Sequence, residues 1–171
     1  VVSVTDLYEA APGSEDDPGS GRVPPQDLAA EQSVLGAMLM SKQAIYPSFD
    51  LLQPRDFYRP AHQTIHDPVL DLYGKGEPAD PVTVAAELTR TGALERIGGA
   101  PYLHTLISLV PIAANAGYYA EIVRERAILR RLVEAGTKVV QLGYGAAGGM
   151  GGDVDDVVDR AQAAVYEVVE R

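Results

Sequence analysis

The stretch Ala61-His62-Gln63-Thr64-Ile65-His66-Asp67 holds the side chains best suited to chemistry: two imidazoles four residues apart, with a carboxylate beside the second. On a helix that spacing puts both rings on one face, as in helical metal sites, and Asp67 or His104 could complete the ligand set of a small metal-dependent hydrolase. The metalloprotease version requires a glutamate after the first histidine as general base, and Gln63 stands there instead. Pro68 biases Asp67 away from helical geometry, which works against a ligand set at that point. A pair of solvated or hydrogen-bonded helix histidines suits these residue types better.

Other chemistries find less. There is no cysteine and no Gly-x-Ser-x-Gly, and no serine is placed by sequence beside a histidine and an acid. The glycine run over residues 145–152 lacks the Lys-Ser/Thr of a phosphate-binding loop and follows a helical pattern, so it reads as a turn. Tyr118 and Tyr119 could stack on bases but suit packing on a long helix. The acid clusters Glu15-Asp16-Asp17 and Asp155-Asp156 read as solvated charge. Catalytic, cofactor-binding and metal-ligating residues are therefore expected to be absent, and function should reside in surfaces.

The bulk properties agree with a binding role. The 171 residues carry a formal charge of -10, and only residues 116–142 are basic, with five bases against three acids. Phosphate neutralisation dominates nucleic-acid affinity, so this domain should touch DNA weakly or not at all by itself. With no cysteines the natural compartment is reducing and cytoplasmic. No run approaches the roughly 18 unbroken apolar residues of a membrane span, and a soluble protein is expected.

The elements follow from periodicity, and the class is all-α, because no strand alternation is present. Residues 1–23, rich in Gly, Pro, Ser and acids, read as a disordered acidic tail. From Pro24 to residue 112 the pattern gives a compact head of about six helices. Leu28, Gln32, Leu35 and Leu39 mark the first, with Asp27 and Glu31 near its positive end. A second covers residues 41–52 around Pro47, and Ile65, Val69 and Leu72 give the third an inner face. Asp80 caps the next, with Pro81 in its first turn and an inner stripe of Val82, Ala85, Ala86 and Leu88. Short helices over residues 93–99 and 100–110 complete the head.

Residues 113–171 form a long protruding antiparallel helical hairpin. From Asn115, about 27 residues without proline make a helix of roughly 40 Å, longer than a head about 30 Å across. The glycine run turns the chain, and Asp153 caps a second arm striped by Val154, Val157, Val158, Ala161, Val165 and Val168. Asp155, Asp156 and Asp159 are expected to oppose Arg124, Arg126, Arg130, Arg131 and Lys138 across the hairpin. Leu129, Leu132, Val133 and Val140 exceed what a slim partner arm can cover, so docking against a second copy is expected. The interface candidates from periodicity are Tyr118, Ile122, Leu129, Leu132 and Val133 on one arm, and Val157, Ala161 and Val165 on the other.

The runs "AEQSVLGAML", "DFYRPAHQ", "GGAPYL" and "AANAGYYAEIVRERAILRRL" resemble the N-terminal domain of the bacterial replicative DNA helicase family DnaB, over residues 24–171. The alanine-, glycine- and valine-rich, lysine-poor wording resembles actinobacterial members, mycobacterial ones included. The resemblance implies a helical head plus hairpin, followed in the whole protein by a linker and a RecA-like ATPase domain that binds ATP and Mg. It implies that domains pair and that three pairs form the collar of a hexamer. It further implies that the collar receives the C-terminal helical domain of a DnaG-type primase and engages the helicase loader. His62 matches the histidine of the family's "RPAH" run, on a structural helix. Pro68, where the family carries a helix former, and Ile112, in place of a small polar residue, depart from the pattern. The helicase-binding domain of primase has a similar head and hairpin, but the quoted runs match the helicase side.

Overall fold

The first apolar run becomes the centre of the molecule. In the computed structural model, which describes residues 22–170, helix α1 (Leu28–Met40) begins where the Asp27 carboxylate accepts the Ala30 N–H at 2.9 Å. Nine of its 13 residues are buried, from Ala30 and Glu31 through Leu39, because other helices enclose it. Those are α2 (Lys42–Leu51), α3 (Pro60–Gly74), α5 (Ala100–Ser108) and the long α6 (Ala116–Ala147). Helix α4 (Pro81–Arg90) leans on α3 and α5, and α7 (Val154–Tyr166) packs along α6. Three 3-10 turns, Pro54–Asp56, Glu95–Ile97 and Ala113–Asn115, link these pieces. The described residues contain no strand, and none of their helices alone is long and apolar enough to cross a membrane. Of the tail expected over residues 1–23, residues 1–21 lie outside the described residues.

The head thus has five α-helices, and the short segment expected near Glu95 is a 3-10 turn. Val34, Leu35 and Met38 of α1 meet Ile65 and Val69 of α3 and Leu103 and Leu106 of α5 in one core. Gly36 makes the α1–α5 contact possible: a methyl group there would collide with the carbonyl oxygen of Leu106 and the side chain of Val110. Asp80 caps α4 as expected, accepting from Val82 and Thr83 N–H at 2.9 Å each while its own N–H donates to the Thr83 hydroxyl. These bonds, the Thr83 N–H first, hold the Asp80 carboxyl below the usual carboxylate range. The inner stripe of α4 differs from the sequence expectation: Val84 and Leu88 are buried, whereas Val82 is exposed beside the cap.

Pro68 does not interrupt α3, which runs on to Gly74. Its ring is buried, and the hydrogen bond it removes is limited to the carbonyl four residues back. The glycine run does not end α6 at Gly143 either; the helix continues to Ala147, and at 32 residues spans about 48 Å. Each internal glycine costs about 1 kcal/mol relative to alanine, a cost that tertiary context can override. Gly149, at φ 84°, then turns the chain, with its N–H on the Ala146 carbonyl. Two opposite stability changes are expected. Gly36→Ala should lower stability by about 1–3 kcal/mol through overpacking. Gly143→Ala, where a methyl meets nothing within 4 Å, should raise it by up to about 1 kcal/mol. Thermal melts by circular dichroism check both, and an unchanged Gly36→Ala melt would show that α1 and α5 separate at little cost.

Candidate functional site

The histidine pair lies inside the head. His62 and His66 are both fully buried, while Asp67 points outward from the same helix and His104 is exposed on α5. No group of three His, Asp or Glu side chains placed to hold a metal occurs among the described residues. His62 instead joins three helices. Its Nδ1 lies 2.8 Å from a Glu31 carboxylate oxygen and its Nε2 2.6 Å from the Tyr102 hydroxyl. A carboxylate only accepts, so Nδ1 carries the proton directed at Glu31, and Nε2 is placed to accept from Tyr102. Glu31 also accepts the N–H groups of Tyr58 at 2.9 Å and Arg59 at 3.3 Å, at the start of α3. It is therefore a tertiary cap supplied by a different helix. The only sign of this in the sequence is an acid within an apolar run.

His66 makes no hydrogen bond at either ring nitrogen and lies against Phe57, ring centroids 5.2 Å apart. Burial drives its pKa from 6.5 down to about 4, opposed in part by the Asp56 charge. The arrangement contains a satisfied polar node and a buried neutral base.

A second node ties the long arm to the head. Arg131 donates to the Asp56 carboxylate at 3.0 Å, and Arg130 donates to the carbonyls of Asp56 at 2.6 Å and Pro25 at 2.8 Å. The Arg130 guanidinium also sits 5.5 Å from the Tyr58 ring centroid. These arginines were expected to face the acids of the second arm. They turn into the head because the hairpin is antiparallel: Asp155, Asp156 and Asp159 lie at its far tip, exposed to solvent. Asp56 had no signal beyond being an acid between a proline and aromatic residues.

The interface candidates divide by depth. Along α6 the face turned inward consists of Ala116, Ala120, Val123, Ala127 and Ala135. The large side chains point the other way: Tyr118 is 73% exposed, Leu129 42%, Leu132 52% and Val133 55%, with Ile122 also exposed. At 100° per residue these five and Val140 lie within an arc of roughly 100°, so they form one seam. On α7, Val157 is buried and Ala161 half-buried against the first arm, whereas Val165 is exposed, in line with Val154 and Val158. Tyr144 and Val169, absent from the sequence reading, extend the exposed apolar surface. The seam is exposed apolar surface on a helix whose buried face is mostly alanine.

Comparison with known proteins places these features in context. The profile of the DnaB-like helicase N terminal domain matches residues 23–125. A replicative DNA helicase DnaB from Mycobacterium leprae is 69% identical over 95% of this chain and 26% of its own length. That of Leifsonia xyli subsp. xyli is 56% identical over 86% of this chain and 31% of its length. The chain thus spans about a quarter to a third of these relatives. The crystal structure of the N-terminal domain of DnaB helicase from Mycobacterium tuberculosis is 70% identical, with a TM-score of 0.80 over 84% of this chain and 99% of that one. A structure described as a DnaB-like replicative helicase and its interactions with primase shares the fold at 22% identity, with a TM-score of 0.65 over 83% of this chain and 31% of that one.

The buried His66 predicts a pH dependence. Below pH 6.5 the unfolded chain takes up a proton that the folded chain refuses until about 4. Stability from this residue is thus complete above 6.5 and is lost as pH falls towards 4, by up to about 3 kcal/mol. The urea midpoint of the native protein should fall more steeply between pH 7 and 4.5 than that of His66→Leu; equal slopes would remove His66 as the cause.

Proposed function

This chain belongs to the DnaB-like helicase N-terminal domain family, and from that premise we propose that it is the assembly and docking module of a hexameric replicative DNA helicase. The observation that carries this is the seam on α6, where small residues face inward and Tyr118, Ile122, Leu129, Leu132 and Val133 face solvent. A second copy brings an equivalent seam, and apposing the two removes apolar surface from water that nothing within one chain covers. Val165 on α7 widens the contact, while Val157 and Ala161 hold the two arms together so that the pairing surface stays rigid.

In this reading the parts divide the work. The head, residues 24–112, presents a surface, and the hairpin, residues 113–171, assembles it. Three pairs close into a collar, and the collar offers composite sites to the C-terminal helical domain of a DnaG-type primase and to the helicase loader. The helicase relatives and the solved helicase described with its primase interactions support these partners. ATP hydrolysis with Mg, and DNA unwinding, belong to the longer protein through a RecA-like domain, in the cytoplasm. The acidic balance of this domain, -10 overall, suits protein partners better than DNA.

Sedimentation equilibrium over a concentration series tests the pairing. Leu129→Glu combined with Leu132→Glu should weaken self-association at least tenfold, about 1.4 kcal/mol, with helicity unchanged by circular dichroism. The same mass distribution in both proteins would remove the seam from the interface. Titration with the primase domain should favour the paired species, and equal binding to the variant would assign docking to a single copy.

A further inference from the structure

Three clefts follow one another around the middle of the long arm. The first, about 300 Å3, opens beside Pro24, close to where the described chain starts, and is bordered by Arg55, Tyr58 and Arg130. The second, about 290 Å3, shares Arg55 and Glu134 with the first and adds Lys138. The third, about 320 Å3, shares Arg131 and Val168 with the second and is lined by Phe49, Ile128, Val169 and Arg124. It is a gap along α6 between the end of α2 and the end of α7. Phe49 and Val169 at its edge are 55% and 70% exposed.

Cations precede apolar walls along this path. Arg55 donates to the Gln53 side-chain oxygen and the Glu170 carbonyl, and Arg130 donates to the Pro25 and Asp56 carbonyls. Both bond to neutral oxygens and keep their full charge. Lys138 is exposed. The acids on the path are Glu134 and Glu167 in the second cleft and Asp50 and Asp56 in the third, and Asp56 is engaged by Arg131.

We infer that this path is the docking site of the chain's own N-terminal segment, with Glu15, Asp16 and Asp17 on the cations and Val4, Leu7 and Tyr8 in the third cleft. Residues 1–21 carry five acids and no base, and the order along them matches the path. From Pro24, which Arg130 fastens through Pro25, Glu15, Asp16 and Asp17 come first, and Leu7 and Tyr8 follow with Asp6 and Glu9 on either side of them, where Arg124 lines the third cleft. Asp16 is eight residues away and can reach up to about 27 Å, and Leu7 about 57 Å. A short tether supplies an effective concentration in the mM range, so even a site of mM affinity is substantially filled. The path meets the seam at Val133 in the first cleft, and the inference does not rest on the pairing proposed above, because the segment and the cations belong to one chain.

The absence of cysteine permits a clean test on the full chain. A nitroxide on Ser3→Cys should broaden the amide signals of Phe49, Ile128 and Val169 several-fold more than those of Val84 and Leu88 on α4. Combined Glu15→Lys, Asp16→Lys and Asp17→Lys should abolish the difference, and so should Phe49→Ser, which alters an exposed side chain. Uniform broadening, or broadening centred on Leu129 and Val140, overturns the inference. So does broadening that survives when the nitroxide and the isotope label are on separate chains in one mixture, since the segment would then be reaching another copy.

Discussion

The Glu31 carboxylate is the interaction on which the head depends. Buried on the central helix, it accepts two N–H groups at the start of α3 and faces His62. Helix starts leave N–H groups without partners, and a buried carboxylate needs donors, so each satisfies the other. His62 passes the connection to Tyr102, and α1, α3 and α5 are locked in register by one polar chain running through an apolar core. Removing the carboxylate would leave buried donors on two elements, which is costlier than losing any single apolar contact in the neighbourhood.

The long helix carries small and large side chains on opposite faces. Alanines on the inner face let its first half lie close to α1 and α2 and its later part close to α7. The outer face keeps the large side chains that a single chain leaves uncovered. Had the sizes been reversed, bulky residues would hold the arm away from the head and the seam would have little to bury. The same helix thus belongs to the core of the head and carries the surface proposed for pairing.

Arg130 and Arg131 make head and arm one mechanical unit. They sit midway along α6, and between them bind Pro25 ahead of α1 and Asp56 in the turn ahead of α3. Tyr58 and Arg59, which follow that turn, supply the N–H groups that Glu31 accepts, so a force on the arm reaches α1 through two short polar links. For a module proposed to sit between partners, this stiffness keeps a surface on the head in fixed relation to a pairing surface on the hairpin.

The sequence by itself determined what depends on near neighbours. The all-α class, the acids at the start of α1, the Asp80 cap and the hairpin all follow from 3.6-residue periodicity and from chemistry within a few residues. The family runs added the head-and-hairpin plan. What only the tertiary structure decided are the partners far apart in the chain. Periodicity says that Arg130 and Arg131 share a side of a helix, but not that the side meets Pro25 and Asp56, 105 and 75 residues away. It places Val157 and Val165 on one arm without saying that the first faces α6 and the second faces solvent. It could not show that an acid in the first helix caps the third, or that α6 continues through its glycines. Those outcomes depend on which surfaces come together, and a helix's own sequence specifies a face without specifying its neighbour.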